Sequence, residues 1–275
     1  MDHAAKTELM ARFMAAPISQ KMPEEKLVFS KLLDQVSLCA REYSPAFSDF
    51  LDPMRADFYA DMIAGGARGV QIVAYGGSAP CERVILGFTP EDIPLAPEMF
   101  PIGTLKVAFP GKSPAHSDIL GSILGLGLTR SVVGDIFIGN GEAYVFVSAD
   151  ISDFVASALD KVGNVSVRTA KAAELPDLPE NTGTERSILV ASPRFDAVLA
   201  QAFKLSRSKA ASLIAAKKAF VNWRVIQNAS KDVKLGDMLT LRGFGRVKIN
   251  EFGGQSKKGR KYIKVTVWGH RRGGY

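Results

Sequence analysis

Residues Arg194–Asn222, RFDAVLAQAFKLSRSKAASLIAAKKAFVN, decide how the C-terminal part of the chain folds. The apolar side chains in the first half recur at helical spacing, at Phe195, Val198, Leu199, Ala202 and Phe203. This spacing predicts one face of a helix. Ser206 is expected to cap a second helix that runs to about Lys217. The segment therefore predicts two short helices joined by a tight turn.

Short β-rich runs follow the two predicted helices. Glycines mark the turns between them, at Gly236-Asp237, Gly243-Phe-Gly245 and Gly253-Gly254. The expected strands cover residues 219–222, 224–227, 238–242, 246–252 and 261–267. The C-terminal part is accordingly predicted as an α+β module of two short helices plus β-strands.

Charge divides the chain more sharply than its overall net of +7 suggests. Residues 186–275 hold 20 Lys and Arg against 4 Asp and Glu, whereas residues 1–185 hold 15 against 24. A folded segment with this excess of cations is typical of a module that meets phosphate groups. We therefore expect a polyanion as the partner of the C-terminal block. The acidic N-terminal part is expected to face solvent or a protein partner.

Helix ends and glycine turns carry the cations that are the best candidates for phosphate contacts. Arg207 and Lys209 lie in the first turn of the second helix, where a cation opposes the helix dipole unless an anion binds there. Lys217 and Lys218 at the end of that helix either favour its dipole or contact the partner. Two basic turns between strands add further candidates, which are Arg242, Arg246, Lys257, Lys258 and Arg260.

Residues 1–100 are predicted to form a small α+β unit. Helical spacing covers residues 22–42, and Asp52-Pro53 is expected to start a second helix that Gly65-Gly66 ends. The runs Val70–Tyr75 and Val84–Phe88 predict strands ahead of a proline-rich connector.

Residues 101–172 are predicted to form a middle domain with the order βαββαβ, typical of ferredoxin-like and RNA-recognition (RRM) folds. The expected elements are a strand at Leu105–Phe109, a helix at Ser117–Leu126, a hairpin at Asp135–Val147 turning at Asn140-Gly141, a helix at Ile151–Val162 and a strand at Val165–Arg168. Residues 173–187 are polar and are expected to link this domain to a C-terminal domain at 188–270.

Two groups of residues in the middle domain are assigned structural roles. Phe137, Tyr144 and Phe146 are too scattered for a base-stacking platform, so we expect them in the core. The glycines at 121, 125 and 127 do not have the spacing of a nucleotide-binding loop. Helix packing or a turn is expected for them.

The C-terminal motifs resemble the S4 RNA-binding domain. The match runs in order through Arg194-Phe-Asp196, Lys204-Leu-Ser-Arg-Ser-Lys209, Leu213-Ile214, Val221-Asn222 and Gly236-Asp-Met-Leu-Thr-Leu-Arg-Gly243. Lys218 stands where that family usually has glycine after the second helix, and Trp223 either stacks on a base or packs on the core. The resemblance implies that further residues contact RNA, namely Arg194, Lys204, Ser206, Ser208 and Asn222.

The middle segment resembles the YlmH group of bacterial and plastid S4 proteins. The similar residues are Leu120-Gly-Ser-Ile-Leu-Gly-Leu-Gly-Leu128, Arg130 and Gly134-Asp-Ile136. The resemblance implies a monomeric, non-enzymatic, cytoplasmic protein that binds rRNA of the large ribosomal subunit, with tRNA as a further candidate. It leaves open whether the role is quality control of stalled nascent chains or ribosome assembly.

Composition and motifs argue against most other functions. No run approaches the roughly 18 apolar residues of a membrane span, and Met1-Asp-His3 does not start a secretory signal. Two cysteines and three histidines are too few for a metal site, and no cofactor-binding glycine loop is found, so neither a metal nor a cofactor is expected.

Two enzyme hypotheses remain as alternatives. An RNA-modifying enzyme, a pseudouridine synthase or methyltransferase with an S4 module, would use Asp118 or Asp135 as its carboxylate. A tRNA synthetase fragment is suggested by Lys204-Leu-Ser-Arg-Ser208, but the HIGH-type motif that it requires is missing from the sequence.

Overall fold

The computed structural model describes residues 3–16, 24–79, 81–111, 113–139, 141–175, 178, 183–222, 224–226 and 228–269. Asn140 and Trp223, to which the sequence assigns roles, lie outside these ranges. The chain divides into two compact units, Met1–Glu180 and Asn181–Tyr275. Both contain helices and antiparallel sheets, which confirms the α+β class. No helix in the described ranges has the length and apolar character needed to cross a bilayer.

The first unit begins with helices packed on a three-stranded sheet. The helices are α1 (His3–Ala15), α2 (Glu24–Glu42) and α3 (Pro53–Ala64). The strands β1 (Ala46–Leu51), β2 (Val70–Tyr75) and β3 (Val84–Pro90) pair in the order β1-β3-β2. Asp52 caps α3 as predicted, because its carboxylate accepts a 3.1 Å hydrogen bond from the Arg55 N–H.

The middle segment forms the ferredoxin-like sheet that the sequence predicts. Its elements are β4 (Ile102–Ala108), α4 (His116–Gly125), β5 (Val133–Ile138), β6 (Glu142–Ser148), α5 (Ser152–Ala158), β7 (Lys161–Val162), β8 (Val165–Ser166) and β9 (Arg168–Lys171). The sheet order β5-β6-β4-β9, with every pair antiparallel, completes the βαββαβ topology. Short 3₁₀ turns lie at Pro97–Met99, Arg130–Val132 and Ala149–Ile151.

The last helix and the last strand of this segment differ most from the prediction. The helix expected at Ile151–Val162 ends at Ala158, and Val165–Ser166 pairs with Lys161–Val162 in a separate hairpin. Gly163, at φ +57°, provides the left-handed residue of that hairpin turn. The strand that completes the sheet therefore starts at Arg168 instead of Val165.

The two faces of the middle sheet are both covered. Helices α4 and α5 pack on one face, around Leu105, Ile119 and Val145. On the other face Phe146 is fully buried in a cluster with Phe50, Ile85 and Phe100. The N-terminal residues thus cover the face on which RRM-like sheets stack bases. Tyr144 and Phe146 are buried, as predicted.

The second unit is a six-stranded antiparallel sheet with two helices on one face. Its elements are β10 (Thr184–Val190), α6 (Phe195–Ala202), α7 (Arg207–Ala215), β11 (Ala219–Val221), β12 (Arg224–Val225), β13 (Met238–Leu241), β14 (Gly245–Gln255) and β15 (Lys261–Gly269). The strand order is β10-β15-β14-β13-β11-β12. The predicted two-helix segment is confirmed, and the apolar stripe of α6 lies in the core.

Strand β10 begins inside the predicted linker. Thr184 lies opposite Val267, and the pairing with β15 continues to Val190 and Lys261. Residues 184–187, expected to link two domains, therefore belong to the sheet. The sequence does not predict this strand, because residues 184–187 are polar and their pairing partner lies at the far end of the unit.

Candidate nucleic-acid interface

Both helices of the second unit end in a left-handed lysine. At the end of α7 the Lys217 N–H donates to Ile214 O (2.9 Å) and the Lys218 N–H donates to Leu213 O (3.0 Å). These two bonds form a Schellman motif, in which the left-handed residue is usually glycine. That residue is Lys217, at φ +57°. The resemblance to the S4 family placed the glycine position at residue 218. The backbone shows that the position that favours glycine is residue 217.

Helix α6 also ends in a left-handed lysine. The Leu205 N–H donates to Ala200 O (2.8 Å), and Lys204 has φ +53°. Each lysine thus occupies a backbone conformation that costs a side-chain-bearing residue about 1–2 kcal/mol. Both lysines are exposed.

Most of the predicted cations are exposed and have no carboxylate partner among the described residues. They are Lys204, Lys209, Lys217, Lys218, Arg242, Lys257, Lys258 and Arg260. A backbone hydrogen bond brings two of these residues together, because the Arg242 N–H donates to Lys218 O over 2.9 Å. The end of α7 and the first basic turn are therefore neighbours. We call Lys204, Lys209, Lys217, Lys218 and Arg242 the helix-end cations.

The second basic turn lies away from the first. Residues 256–260 form a tight turn in which the Ser256 N–H donates to Arg260 O over 2.7 Å. The eleven-residue strand β14 separates it from the turn at Arg242. At the usual rise per residue, these ends are about 30 Å apart. The predicted site thus contains two clusters of cations.

Arg194 and Arg207 differ from the helix-end cations because both bind Asp196. The Arg207 Nε and Nη2 atoms donate to Asp196 Oδ2 (2.9 Å) and Oδ1 (3.3 Å), and the Arg194 Nε lies 3.5 Å from Oδ1. Asp196 is 5% exposed. The hydrogen bond to Asp196 raises the pKa of Arg207. Both guanidinium groups thus compensate a buried carboxylate, a role that the sequence did not predict.

The polar candidates also have structural partners. Ser206 caps α7, as predicted, because its Oγ accepts from the Lys209 N–H (3.1 Å). The Ser208 Oγ lies 3.1 Å from the Ser206 Oγ. The Asn222 side chain donates to Asp237 Oδ1 (2.7 Å) and accepts from the Met238 N–H (2.9 Å). These contacts hold Asn222 at φ +41°.

The two arginines of the first basic turn lie against aromatic rings. The Arg242 Cζ is 4.9 Å from the centroid of Phe220, and the Arg246 Cζ is 5.8 Å from the centroid of Trp268. The sequence singled out both arginines as phosphate ligands but assigned no role to either ring. The signal in the sequence was the strand alternation, which places Phe220 and Trp268 on the face away from the core.

The carboxylates of the enzyme hypothesis bind backbone groups. Asp118 accepts from the Ala115 N–H (3.1 Å) at the start of α4, and Asp135 Oδ2 accepts from the Arg83 N–H (2.8 Å). Burial raises the pKa of the Cys81 thiol to about 12, so this group stays protonated near neutral pH. Each of these groups thus has a structural explanation.

The glycines of the middle segment have two different roles. Gly127, at φ +86°, forms the turn after α4, as predicted. At Gly121 and Gly125, however, an added Cβ would meet nothing within 4 Å. Helix packing within the described residues therefore does not explain these two glycines.

Comparison with known proteins extends over most of the chain. Residues 96–174 match the family model described as the putative RNA-binding domain in YlmH, and residues 193–239 match the S4 domain model. The chain is 33% identical over 239 residues to the ribosome-associated protein quality control protein P2 of Bacillus subtilis (strain 168). That alignment covers 86% of this chain and 92% of the relative. The solved structure of the cell division protein ylmH from Streptococcus pneumoniae matches with 18% identity and a TM-score of 0.48, over 54% of this chain and 91% of that one.

Proposed function

The chain belongs to the YlmH family of S4-domain RNA-binding proteins, and we propose that it binds structured rRNA of the large ribosomal subunit during quality control of stalled nascent chains. The general role that the family supports is RNA binding in association with the ribosome. In the proposal it acts without catalysis, as a cytoplasmic monomer, and tRNA on the same subunit is a further ligand. The 33% identical Bacillus subtilis relative, by its name a ribosome-associated quality control protein, supports this choice.

The observation that carries the proposal is the set of helix-end cations. Five exposed positive groups lie on one two-helix motif and its adjoining turn, and none of the five has a carboxylate partner among the described residues. Like charges without counterions repel one another, which costs free energy. A bound phosphate backbone removes this repulsion and attracts the cations. Two of the five also hold a backbone conformation that favours glycine. Strained residues of this kind cluster at functional sites.

The proposal predicts a particular salt dependence. If each of the five helix-end cations neutralises one phosphate of a duplex-like RNA, the slope of log K against log salt is about −4 to −5. Replacement of one lysine by alanine is expected to reduce that slope by about 1. Arg194 and Arg207 are predicted to contribute less than the lysines, because Asp196 already compensates their charge.

Co-sedimentation with purified 30S, 50S and 70S particles tests the proposal. The test variant combines Lys204→Ala, Lys209→Ala, Lys217→Ala and Lys218→Ala. The matched control removes four exposed cations from the first unit, through Lys26→Ala, Lys31→Ala, Lys161→Ala and Arg168→Ala. We expect wild type and control to sediment with 50S and 70S particles, and the test variant to stay in the supernatant at about 200 mM salt. Equal loss in both variants, or binding that does not change with salt, would contradict it.

A further inference from the structure

A row of four side chains crosses the outer face of the S4 sheet. Phe220 lies opposite Thr240, Thr240 opposite Arg246, and Arg246 opposite Trp268, on four adjacent strands. Their chain neighbours point to the helices, as the buried Leu239, Leu241, Val247 and Val267 show. Since side chains alternate along a strand, the four residues lie on the face that the helices leave uncovered. We call Phe220, Thr240, Arg246 and Trp268 the aromatic row.

The aromatic row combines planar rings with guanidinium groups. Arg242 lies 4.9 Å from the Phe220 ring and Arg246 lies 5.8 Å from the Trp268 ring, so each end of the row has a cation–π pair. Both rings are half-buried and lie outside the hydrophobic core of this unit. The row thus combines partly exposed rings with adjacent positive charge.

The middle of the row contains a polar atom that nothing in the described protein satisfies. The Oγ1 of Thr240 is shielded from solvent and has no hydrogen-bond partner among the described residues. A buried hydroxyl without a partner costs free energy in the unbound protein. A ligand that displaces the side chains shielding this atom and offers it a hydrogen-bonding edge would recover this cost.

We propose that the aromatic row binds unpaired nucleotides of the RNA, by stacking of bases on the rings and by a hydrogen bond to Thr240. The inference rests on the proposed function and adds the class of RNA structure that the second unit selects. Stacking of bases on aromatic side chains and on arginine is the usual way in which proteins recognise single-stranded RNA. The excess of cations in this unit favours a nucleic acid over a protein as the occupant.

The first unit strengthens the argument by exclusion of one alternative. In its ferredoxin-like sheet the face used for base stacking is covered, because Phe146 is buried against Phe50 and Phe100. Base stacking by the described part of that sheet would require separation of this core. The outer face of the S4 sheet needs no such rearrangement.

The test compares two RNAs of equal length and charge, a hairpin with an adenine-rich loop and a blunt duplex. Phe220→Leu removes one ring and keeps an apolar side chain, and Phe220→Tyr keeps the ring. Tyr262→Leu is the matched control, because Tyr262 is an exposed aromatic residue on the same face of β15 but outside the row. We expect Phe220→Leu to weaken hairpin binding about fivefold or more while duplex binding and salt slopes stay unchanged. Phe220→Tyr and Tyr262→Leu are expected to bind both RNAs as wild type does.

Two further measurements do not depend on removal of a core-adjacent ring. Thr240→Val deletes the unpaired hydroxyl, and we expect weaker hairpin binding with an unchanged or higher melting temperature. The chain has two tryptophans, so Trp223→Phe leaves Trp268 as the sole fluorescent one. Its emission is expected to be quenched by the hairpin and not by the duplex.

The outcomes separate this inference from the proposed function. Equal binding of hairpin and duplex, with Phe220→Leu and Thr240→Val both silent and a steep salt slope retained, would overturn the role of the row alone. An equal loss in Tyr262→Leu would also overturn it. If wild type binds neither RNA even at low salt, the proposed function fails and the inference fails with it.

Discussion

Lys204 and Lys217 are lysines in a conformation that helix ends normally reserve for glycine. The hydrogen bonds at the two helix ends fix their positive φ angles. Cations near a helix C-terminus gain from the dipole, which offsets part of the backbone cost. The neighbouring Lys218 already supplies a cation that interacts with the helix dipole. This interaction therefore does not require a lysine at the left-handed position 217. If Lys217 contacts RNA as proposed, that contact accounts for the choice of lysine at this position.

Replacement of Lys217 by glycine is expected to stabilise the chain and to weaken RNA binding. Relief of the left-handed strain is worth about 1 kcal/mol in the free energy of unfolding. Urea unfolding and RNA binding at two salt concentrations measure the two effects. Lys218→Gly is the control, because residue 218 does not have a positive φ, so it should lower RNA affinity without a gain in stability. A loss of stability in Lys217→Gly would show that the lysine serves the fold.

Arg207 is predicted to be important for folding as well as for binding. Its removal takes two hydrogen-bond donors from the carboxylate of Asp196, which is 5% exposed and keeps the bond from the Ala197 N–H. We expect Arg207→Ala to lower the urea midpoint of the second unit, whereas Lys209→Ala, at an exposed position two residues away, leaves it unchanged. If both variants unfold at the wild-type midpoint, the pair with Asp196 contributes nothing to stability.

Secondary-structure elements differ in how well the sequence predicts them, according to how local their determinants are. The α3 and α7 starts are predicted because the capping residues Asp52 and Ser206 act within three positions. The beginning of β10 at Thr184 is missed because its partner Val267 is distant in the chain. The binding of Arg207 to Asp196 is likewise missed, since only the packing of α6 on α7 brings these groups together. The composition of the cationic surface is thus predictable, whereas the partners of each cation are not.

Helix α4 provides a prediction at the scale of an element. Gly121 lies in its interior and Gly125 is its last residue, and an added Cβ at either position would meet nothing within 4 Å. Gly121→Ala and Gly125→Ala are each expected to stabilise the chain by about 0.5–1 kcal/mol, because alanine loses less backbone entropy in a helix. Thermal unfolding of the single variants measures the effect.

Gly134→Ala is the contrasting variant for this series. Its Cβ would lie 2.8 Å from the Phe50 ring in the packed cluster, so the variant should be less stable than wild type. Destabilisation by Gly121→Ala would mean that α4 packs against something other than the described residues.

At the scale of the whole molecule the two compact units have opposite charge. The first 185 residues hold more carboxylates than cations, and the last 90 hold the reverse. Each unit has its own apolar core among the described residues. We therefore expect residues 181–275 alone to bind RNA with nearly the salt slope of the full chain, and residues 1–180 alone to bind weakly.

Fragment binding between about 50 and 200 mM salt tests this division, with circular dichroism to confirm that each fragment is folded. A first-unit fragment that binds RNA as tightly as the second would show that charge does not decide where the RNA docks. It would direct attention to residues 96–174, which match the putative RNA-binding domain in YlmH.

The pairing of the first strand of the S4 sheet with the last affects the order in which the strands fold. The hairpin β14–β15 closes a short loop, whereas β10 pairs only with β15 and must wait until that strand is in place. Contacts between distant segments form late because the entropy of loop closure must be lost before these contacts stabilise the chain. We expect β10 to be the last strand to dock and the first to open, with backbone amides that exchange with deuterium before those of Val247 and Val265. The sheet would then assemble from its centre and close at the edge where the chain enters it.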